Sequence, residues 1–317
     1  MDSLLSRYAE NSYWLARYIE RAESLARILD VTDSFARNSD GVADWESVLK
    51  LHAVMPSYLE HYKKITPAGV IRFFVIDRRN PFSIASDMAA ARDNARTLRH
   101  LLSLELWTQL NTLANWIFSL KPRDLSLHRF SALCARIKEA CQLHRGIAQN
   151  TLYRDQLWYF YRLGRTVERC DQTTRVVDIK IQSLLAQGRD PAQDASEWNA
   201  LLRASAAYHG YRRVHPRGID PQSVANFLLA DARFPRSTRY CVNEARKALG
   251  ELAAQPGLHE RPVPLAPLQQ IEALLGDPPS ALDVPAMHEH LDRIQLAVMD
   301  FHLALSQHYF GTAPDAA

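Results

Sequence analysis

A chain of 317 residues with 47% hydrophobic content has enough apolar side chains for a sizeable core, as one large domain or as two. Its 38 basic and 35 acidic residues leave a net charge of only +3, too balanced for a general nucleic-acid binder, so any charge-based function must be local. No run approaches the roughly 20 apolar residues of a membrane span, and the Met-Asp-Ser start lacks the basic and apolar segments of a secretory leader, so a cytoplasmic setting is expected.

Only 11 glycines, long Ala/Leu/Arg/Glu-rich stretches and few alternating β-branched runs predict an all-α fold. In chain order, Met1 to about Arg37 reads as one long helix with a stop at Asn38-Ser-Asp-Gly41. Asp44 to Lys64 reads as a second helix, broken or kinked at Pro56. After a turn at Thr66-Pro67-Ala-Gly69, the run VIRFFVID (Val70 to Asp77) suits a short buried strand or a helix segment, and in a helical chain helix is the expectation. Asn80-Pro81 has the form of an N-cap followed by proline at the first helical position, opening a helix through Ser86, Arg92, Arg96 and Arg99. Leu104 to Ser119 and Leu125 to about Leu152 are the next two helices, followed by one from about Asp155 to Gln187, closed by Gly188 and Pro191. Prolines crowd the stretch from Pro256 to Pro285, which predicts a loop-rich connection around a short helix near Leu268 to Leu275. An amphipathic helix from about Met287 to Tyr309 closes the chain before a frayed tail, Gly311 to Ala317.

The chain writes one stretch twice. LARYIERAESLARILDV (Leu15 to Val31) returns as LGRTVERCDQTTRVVDI (Leu163 to Ile179) at an offset of 148, with identities at Leu15/Leu163, Arg17/Arg165, Glu20/Glu168, Arg21/Arg169, Arg27/Arg175 and Asp30/Asp178. Glu23/Asp171 keeps a carboxylate with a change of length. Wound as a helix, the first copy places Trp14, Leu15, Tyr18, Ile19, Ala22, Leu25, Ala26 and Leu29 on one half and the charges on the other. The apolar half drifts between copies while the charged half is kept, the reverse of what a solvated face should do. Two further blocks follow in order: Trp45, Leu49, Ala53 and Tyr58 match Trp198, Leu202, Ala206 and Tyr211 at offset 153, and FFVIDRRNPFS (from Phe73) matches FLLADARFPRS (from Phe227) at offset 154. The chain therefore reads as a tandem duplication, residues 1–152 and 153–317, packing as one unit about a pseudo-two-fold axis.

NSYWLARYIERAE followed by RTVERCD, together with NPFSI, ARDNARTLR, SLELWTQLN and FLLADARFPRS, resembles the alpha-E family, bacterial all-helical proteins named for their repeated Glu-Arg motif. The resemblance covers nearly the whole chain. It implies association with circularly permuted ATP-grasp proteins, and often transglutaminase-like proteins, in a system that makes or modifies peptides.

Two polar constellations are candidates for a site. The first is the repeated charged face: Arg17, Glu20, Arg21, Glu23 and Arg27 against Arg165, Glu168, Arg169, Asp171 and Arg175. One reading is a buried ion-pair network, with Glu20 held by Arg169 and Glu168 by Arg21, for which the planar fork of arginine is suited. The other is a cleft in which six arginines outnumber four carboxylates and favour an acidic peptide or small anionic ligand such as a carboxylate or phosphate. The second constellation is Asp77, Asn80, Ser83, Arg92, Asn94, Arg96 and Arg99, with Asp231 and Ser237 as repeat partners. It is either ordinary turn and cap chemistry or, at the helix N-terminus expected at Pro81, an anion site.

The sequence contains no phosphate-binding glycine loop, no His-Glu-x-x-His and no Gly-x-Ser-x-Gly. The 12 histidines are scattered, with His288 and His290 expected to diverge on a helix, and Glu-Arg cannot replace the Glu-x-x-His of di-iron bundles, so neither a metal nor a cofactor is expected. Cys134, Cys141, Cys170 and Cys241 have no metal or disulfide spacing and read as reduced core residues; the six tryptophans read as packing anchors. The leading functional expectation is a non-catalytic accessory or substrate-binding subunit of the ATP-grasp system. Its rivals are an enzyme using Glu20 or Glu168 as a base, which neighbouring arginines would weaken, and a dimerisation scaffold. Oligomeric state stays open.

Overall fold

Helix formation follows from the composition: apolar residues recur at three- and four-residue spacing between polar caps, and the caps decide where each element begins. The computed structural model describes residues 6–36, 42–186, 191–258 and 263–310, and among them there is no strand. The helices are α1 (Ser6–Ala36), α2 (Val42–Leu51), α3 (Met55–His61), α4 (Pro67–Val75), α5 (Ile84–Thr97), α6 (Leu104–Ser119), α7 (Leu127–Thr151), α8 (Gln156–Ala186), α9 (Pro191–Ala204), α10 (Tyr208–Val214), α11 (Pro221–Ala230), α12 (Thr238–Ala253), α13 (Ala266–Leu274) and α14 (Val284–Leu305). A short 3-10 turn, Pro122–Leu125, precedes α7, and a π turn, Ser306–Phe310, follows α14. The stops expected at residues 38–41 and at Gly188, and the tail 311–317, lie outside the described residues.

One open choice is settled and two expectations change in detail. The run after Thr66 is helical, as favoured: Thr66 caps α4 by accepting from the Gly69 N–H at 3.1 Å, and Pro67 opens it. The second helix is two, because Ala53 takes a left-handed φ of 52° and Pro56 falls in the first turn of α3 instead of inside a helix. The N-cap of α5 is Ser83, whose hydroxyl accepts from the Ser86 N–H at 3.1 Å; Asn80 and Pro81 belong to the preceding turn.

The local geometry recurs along the chain. Ala206 repeats the left-handed turn of Ala53 with φ 55°, and the chain leaves it into α10 as it leaves Ala53 into α3. Tyr58 stacks on Tyr62 and Tyr211 on His215, each with ring centroids 4.7 Å apart. Trp45 and Trp198 are both fully enclosed. Thr66 and Asp220 cap α4 and α11, and Ser83 and Ser237 cap α5 and α12.

The chain forms two compact units, one made of Met1–Arg17 with Tyr153–Ala317 and the other of Tyr18–Leu152, so the division falls inside α1. In the first unit α8 is the central helix, with α12 and α14 packed along it, α11 against α8 and α12, and α13 against α12 and α14. Gly164 is required there, because a Cβ at that position would meet the Tyr13 carbonyl oxygen at 2.0 Å; the backbones of α1 and α8 approach too closely for any side chain. In the second unit α5, α6 and α7 pack in sequence, with α4 joining α2 to α5. All four cysteines are buried and unbridged, and burial pushes the thiol pKa values of Cys134, Cys141 and Cys170 up. Among the described residues no helix is long and apolar enough to cross a membrane.

Candidate functional site

The glutamates of the repeated helix are buried rather than solvated: Glu20, Glu23 and Glu168 are fully enclosed, and Arg17 is 9% exposed. Carboxylates in such surroundings need cations, and each unit supplies them in its own way.

In the second unit the cation comes from α7. Arg145 Nη1 lies 2.9 Å from Glu20 Oε2 and 2.7 Å from Glu23 Oε2, bridging both carboxylates, while Arg27 grips Glu23 from the next turn of α1 at 2.6 Å. Two helical turns earlier on α7, Lys138 Nζ binds Asp30 at 2.6 Å. Arg21 stands 3.8 Å from the buried Asp87 and 5.9 Å over the Phe82 ring.

In the first unit Arg17 Nε holds Glu168 Oε2 at 2.8 Å, Gln172 donates to Glu168 Oε1 at 3.1 Å, and Arg175 Nε holds Asp171 at 2.9 Å. Arg17 also reaches the Tyr13 hydroxyl at 3.4 Å and stacks over Trp14 at 4.7 Å. The Tyr13 hydroxyl in turn lies 3.1 Å from His302 Nδ1, and the two rings are parallel. Burial drives Tyr13 up to about 12, and burial followed by the charge of Arg17 drives His302 down to about 4, so phenol and imidazole are both neutral near pH 7.

Beside this chain of contacts a cavity of about 420 Å³ opens between α8 and α14. Arg17, Asp171 and Arg175 face it on one side, Asp292, Gln295 and His302 on the other, and Val167, Leu296 and Met299 make it partly apolar. The local positive excess expected from counting ER-face residues is absent from this lining, where two arginines meet two aspartates because α14 contributes Asp292.

The remaining expected residues serve local structure. Arg169 donates to the Pro235 carbonyl at 3.0 Å, so Arg21 and Arg169 each reach the repeated proline turn of their own unit. Arg165 is half-buried on α8. Asp77 accepts from Tyr62 at 2.9 Å and from Arg79, which holds its carboxyl down at about 2; Asn80 donates to the Phe73 carbonyl at 3.2 Å; and the Ser237 hydroxyl donates to the Asp231 carbonyl. Arg92 turns to Asn115 at 3.0 Å and Arg96 to Asp93 at 3.0 Å, with Asn94 half-buried between them, so this second set does not converge on one point. The anion site expected at Pro81 is displaced, because α5 begins at Ile84 and Ser83 already occupies one of its first free N–H groups.

Sequence reasoning missed Asp87, Lys138, Arg145, Asp292, Gln295 and His302. One signal was present: Lys138/Arg145 and His288/Gln295 have the same seven-residue spacing near the ends of the two halves. Asp178, His288 and Asp292 could also hold a metal, with ligand atoms within 4.8 Å of one another. The geometry is equally that of an ion pair, since His288 Nδ1 lies 2.7 Å from Asp178, a contact that raises the His288 pKa; a protonated imidazole has no lone pair for a metal.

These features define an all-helical protein built on two long helices whose Glu-Arg glutamates, Glu20 and Glu168, are buried and held by arginines. The chain belongs to the Alpha-E family: the family model, described as a predicted alpha-helical domain with a conserved ER motif, matches residues 4–310. No curated protein and no solved structure matches the chain.

Proposed function

We propose that this protein is a non-catalytic accessory or substrate-binding subunit of a cytoplasmic ATP-grasp-type system that ligates or modifies peptides, and that it binds a carboxylate-bearing peptide or small anionic ligand. In this reading its partners are a circularly permuted ATP-grasp protein and a transglutaminase-like protein, and its two halves are duplicated helical repeats related by a pseudo-two-fold axis. One observation carries the ligand part: the cavity beside the ER helix of the first unit, with Arg17 and Arg175 in its wall. Pockets of this size suit small ligands, for which volumes of about 300 to 1,000 Å³ are usual. The enclosure of Glu20 and Glu168 supports binding over catalysis, since both are held by arginines and neither lines the cavity. The partner is inferred from family resemblance.

The test mixes the chain with the ATP-grasp protein, ATP and candidate peptides, and follows ADP release. Stimulation by wild type, with loss in a folded Arg175→Gln variant, is expected. A mixed rate no higher than that of the ATP-grasp protein alone would sink the accessory reading, and turnover by the isolated chain would make it an enzyme instead. An Arg21→Ala/Arg169→Ala variant serves as the control, and its loss of activity should follow its loss of fold.

A further inference from the structure

The comparison of the two ER helices within their own units says more about what the cavity accepts. Asp30 and Asp178 are repeat partners, and each is bound by a basic side chain from a later helix, Lys138 of α7 and His288 of α14. Seven residues further along each helix, hence two turns on and on the same face, stand Arg145 and Gln295. Arg145 fills its place with a guanidinium that bridges Glu20 and Glu23. In the other unit both sides of that contact are shortened: glutamine stands for arginine, and Asp171 stands for the glutamate. The cavity of about 420 Å³ lies at this place, with Asp171 and Gln295 in its wall.

The change also alters charge. Around the cavity, Arg17 and Arg175 stand against Asp171 and Asp292, with Glu168 directly behind Arg17, so three carboxylates meet two guanidiniums. A ligand ammonium beside Asp171 and Asp292 would restore the charge that Arg145 supplies in the second unit. Two donors suit the opposite end of such a ligand. The Arg175 side chain is 42% exposed, and Gln295 Nε2 is buried without a hydrogen-bond partner while its residue lines the cavity. A buried amide N–H of that kind is unfavourable if left unmade, so it favours an acceptor in the cavity. The apolar wall of Val167, Leu296 and Met299 favours an aliphatic side chain between the charged ends.

We propose that the α8/α14 cavity binds a zwitterionic amino acid or short peptide, its free ammonium against Asp171 and Asp292 and its carboxylate against Arg175 and Gln295. This rests on the reading of the cavity as a ligand site, and narrows a carboxylate-bearing ligand to one that also carries a free amine.

The test uses the purified full chain alone, titrated calorimetrically with alanyl-leucine, N-acetyl-alanyl-leucine and alanyl-leucinamide. Alanyl-leucine should bind, and each blocked form should bind at least about tenfold more weakly, a loss of about 1.4 kcal/mol. A Gln295→Arg variant, which places an arginine in the cavity as in the second unit, should keep its melting temperature and lose alanyl-leucine binding. Equal binding of the acetylated form, unchanged binding to Gln295→Arg, or no binding to wild type at about 10 mM, a contact worth under about 3 kcal/mol, would each overturn the proposal. Because no ATP-grasp protein is present, dipeptide binding without ligase stimulation would overturn only the accessory reading, and stimulation without dipeptide binding only this one.

Discussion

The two units bury equivalent carboxylates and neutralise them by different routes. In the second, a single arginine from α7 bridges Glu20 and Glu23 at 2.9 and 2.7 Å, so its guanidinium sits within the cluster. In the first, Arg17 and Arg175 take Glu168 and Asp171 separately, the α14 position holds glutamine, and a cavity opens. The difference teaches that a repeated motif can keep its buried charge while changing what closes it. Glu-Arg supplies the charges on α1 and α8, and a residue more than a hundred positions away decides whether they form a lock or a wall.

The largest effect is expected from opening the closed cluster. Arg145→Gln would leave two fully buried glutamates without their shared cation, and breaking a buried pair in this way costs about 3 to 5 kcal/mol. Urea unfolding should report a loss of that order. A loss below about 1 kcal/mol would mean that Glu20 and Glu23 do not depend on Arg145, and the contrast with Gln295 would collapse.

Next comes the backbone that the first unit uses. Gly164→Ala would push a Cβ against the Tyr13 carbonyl, which cannot swing away as a side chain could, and overpacking of this kind costs about 1 to 3 kcal/mol. The repeat partner of Gly164 is Ala16, which tolerates a Cβ while fully buried, so Ala16→Gly should cost no more than about 1 kcal/mol. Thermal unfolding of the pair of variants reads the asymmetry directly.

How much of this was legible in the sequence follows from which residues were local. The all-α class, the long ER helices, the α6 boundaries and the helical state of residues after Thr66 could be read because periodicity, caps and proline act over a few positions. The α5 cap could not. Asn80-Pro81 and Ser83 are equally good cap chemistry, and the choice is made by burial of the Asn80 amide, which accepts from Phe82 N–H and donates to the Phe73 carbonyl. Glu20, Glu168 and their arginines stood out as a repeat, yet Arg145 lies 125 residues from Glu20 and His302 lies 289 from Tyr13, beyond any spacing rule.

Acid should separate neutral buried histidines from exposed ones. His302 is pushed from 6.5 down to about 4 by burial, so the unfolded chain binds the extra proton across that interval and stability falls as pH drops through it. A His302→Phe variant, which keeps a ring against Tyr13, should show a shallower fall of melting temperature between those values. His144 in the second unit, down at about 3 for the same reason, continues the loss in both proteins.

The smallest effect tests the outer end of the same comparison, where Lys138 serves Asp30 and His288 serves Asp178. The Asp178 contact raises the His288 pKa, so its contribution is complete below the unfolded value of 6.5 and is lost as pH rises through the folded one. Lys138 has no such limit near neutrality, because an ammonium stays charged until far higher pH. His288→Lys should therefore match wild type at pH 5.5 and exceed it slightly at pH 8.5. The gain should be under about 1 kcal/mol, since the imidazole is 40% exposed and salt screens such a pair. If His288→Lys instead loses stability equally at both pH values, the imidazole is held for its shape or for a metal shared with Asp178 and Asp292, and adding divalent zinc to the wild type would then raise its melting temperature while leaving His288→Lys unchanged.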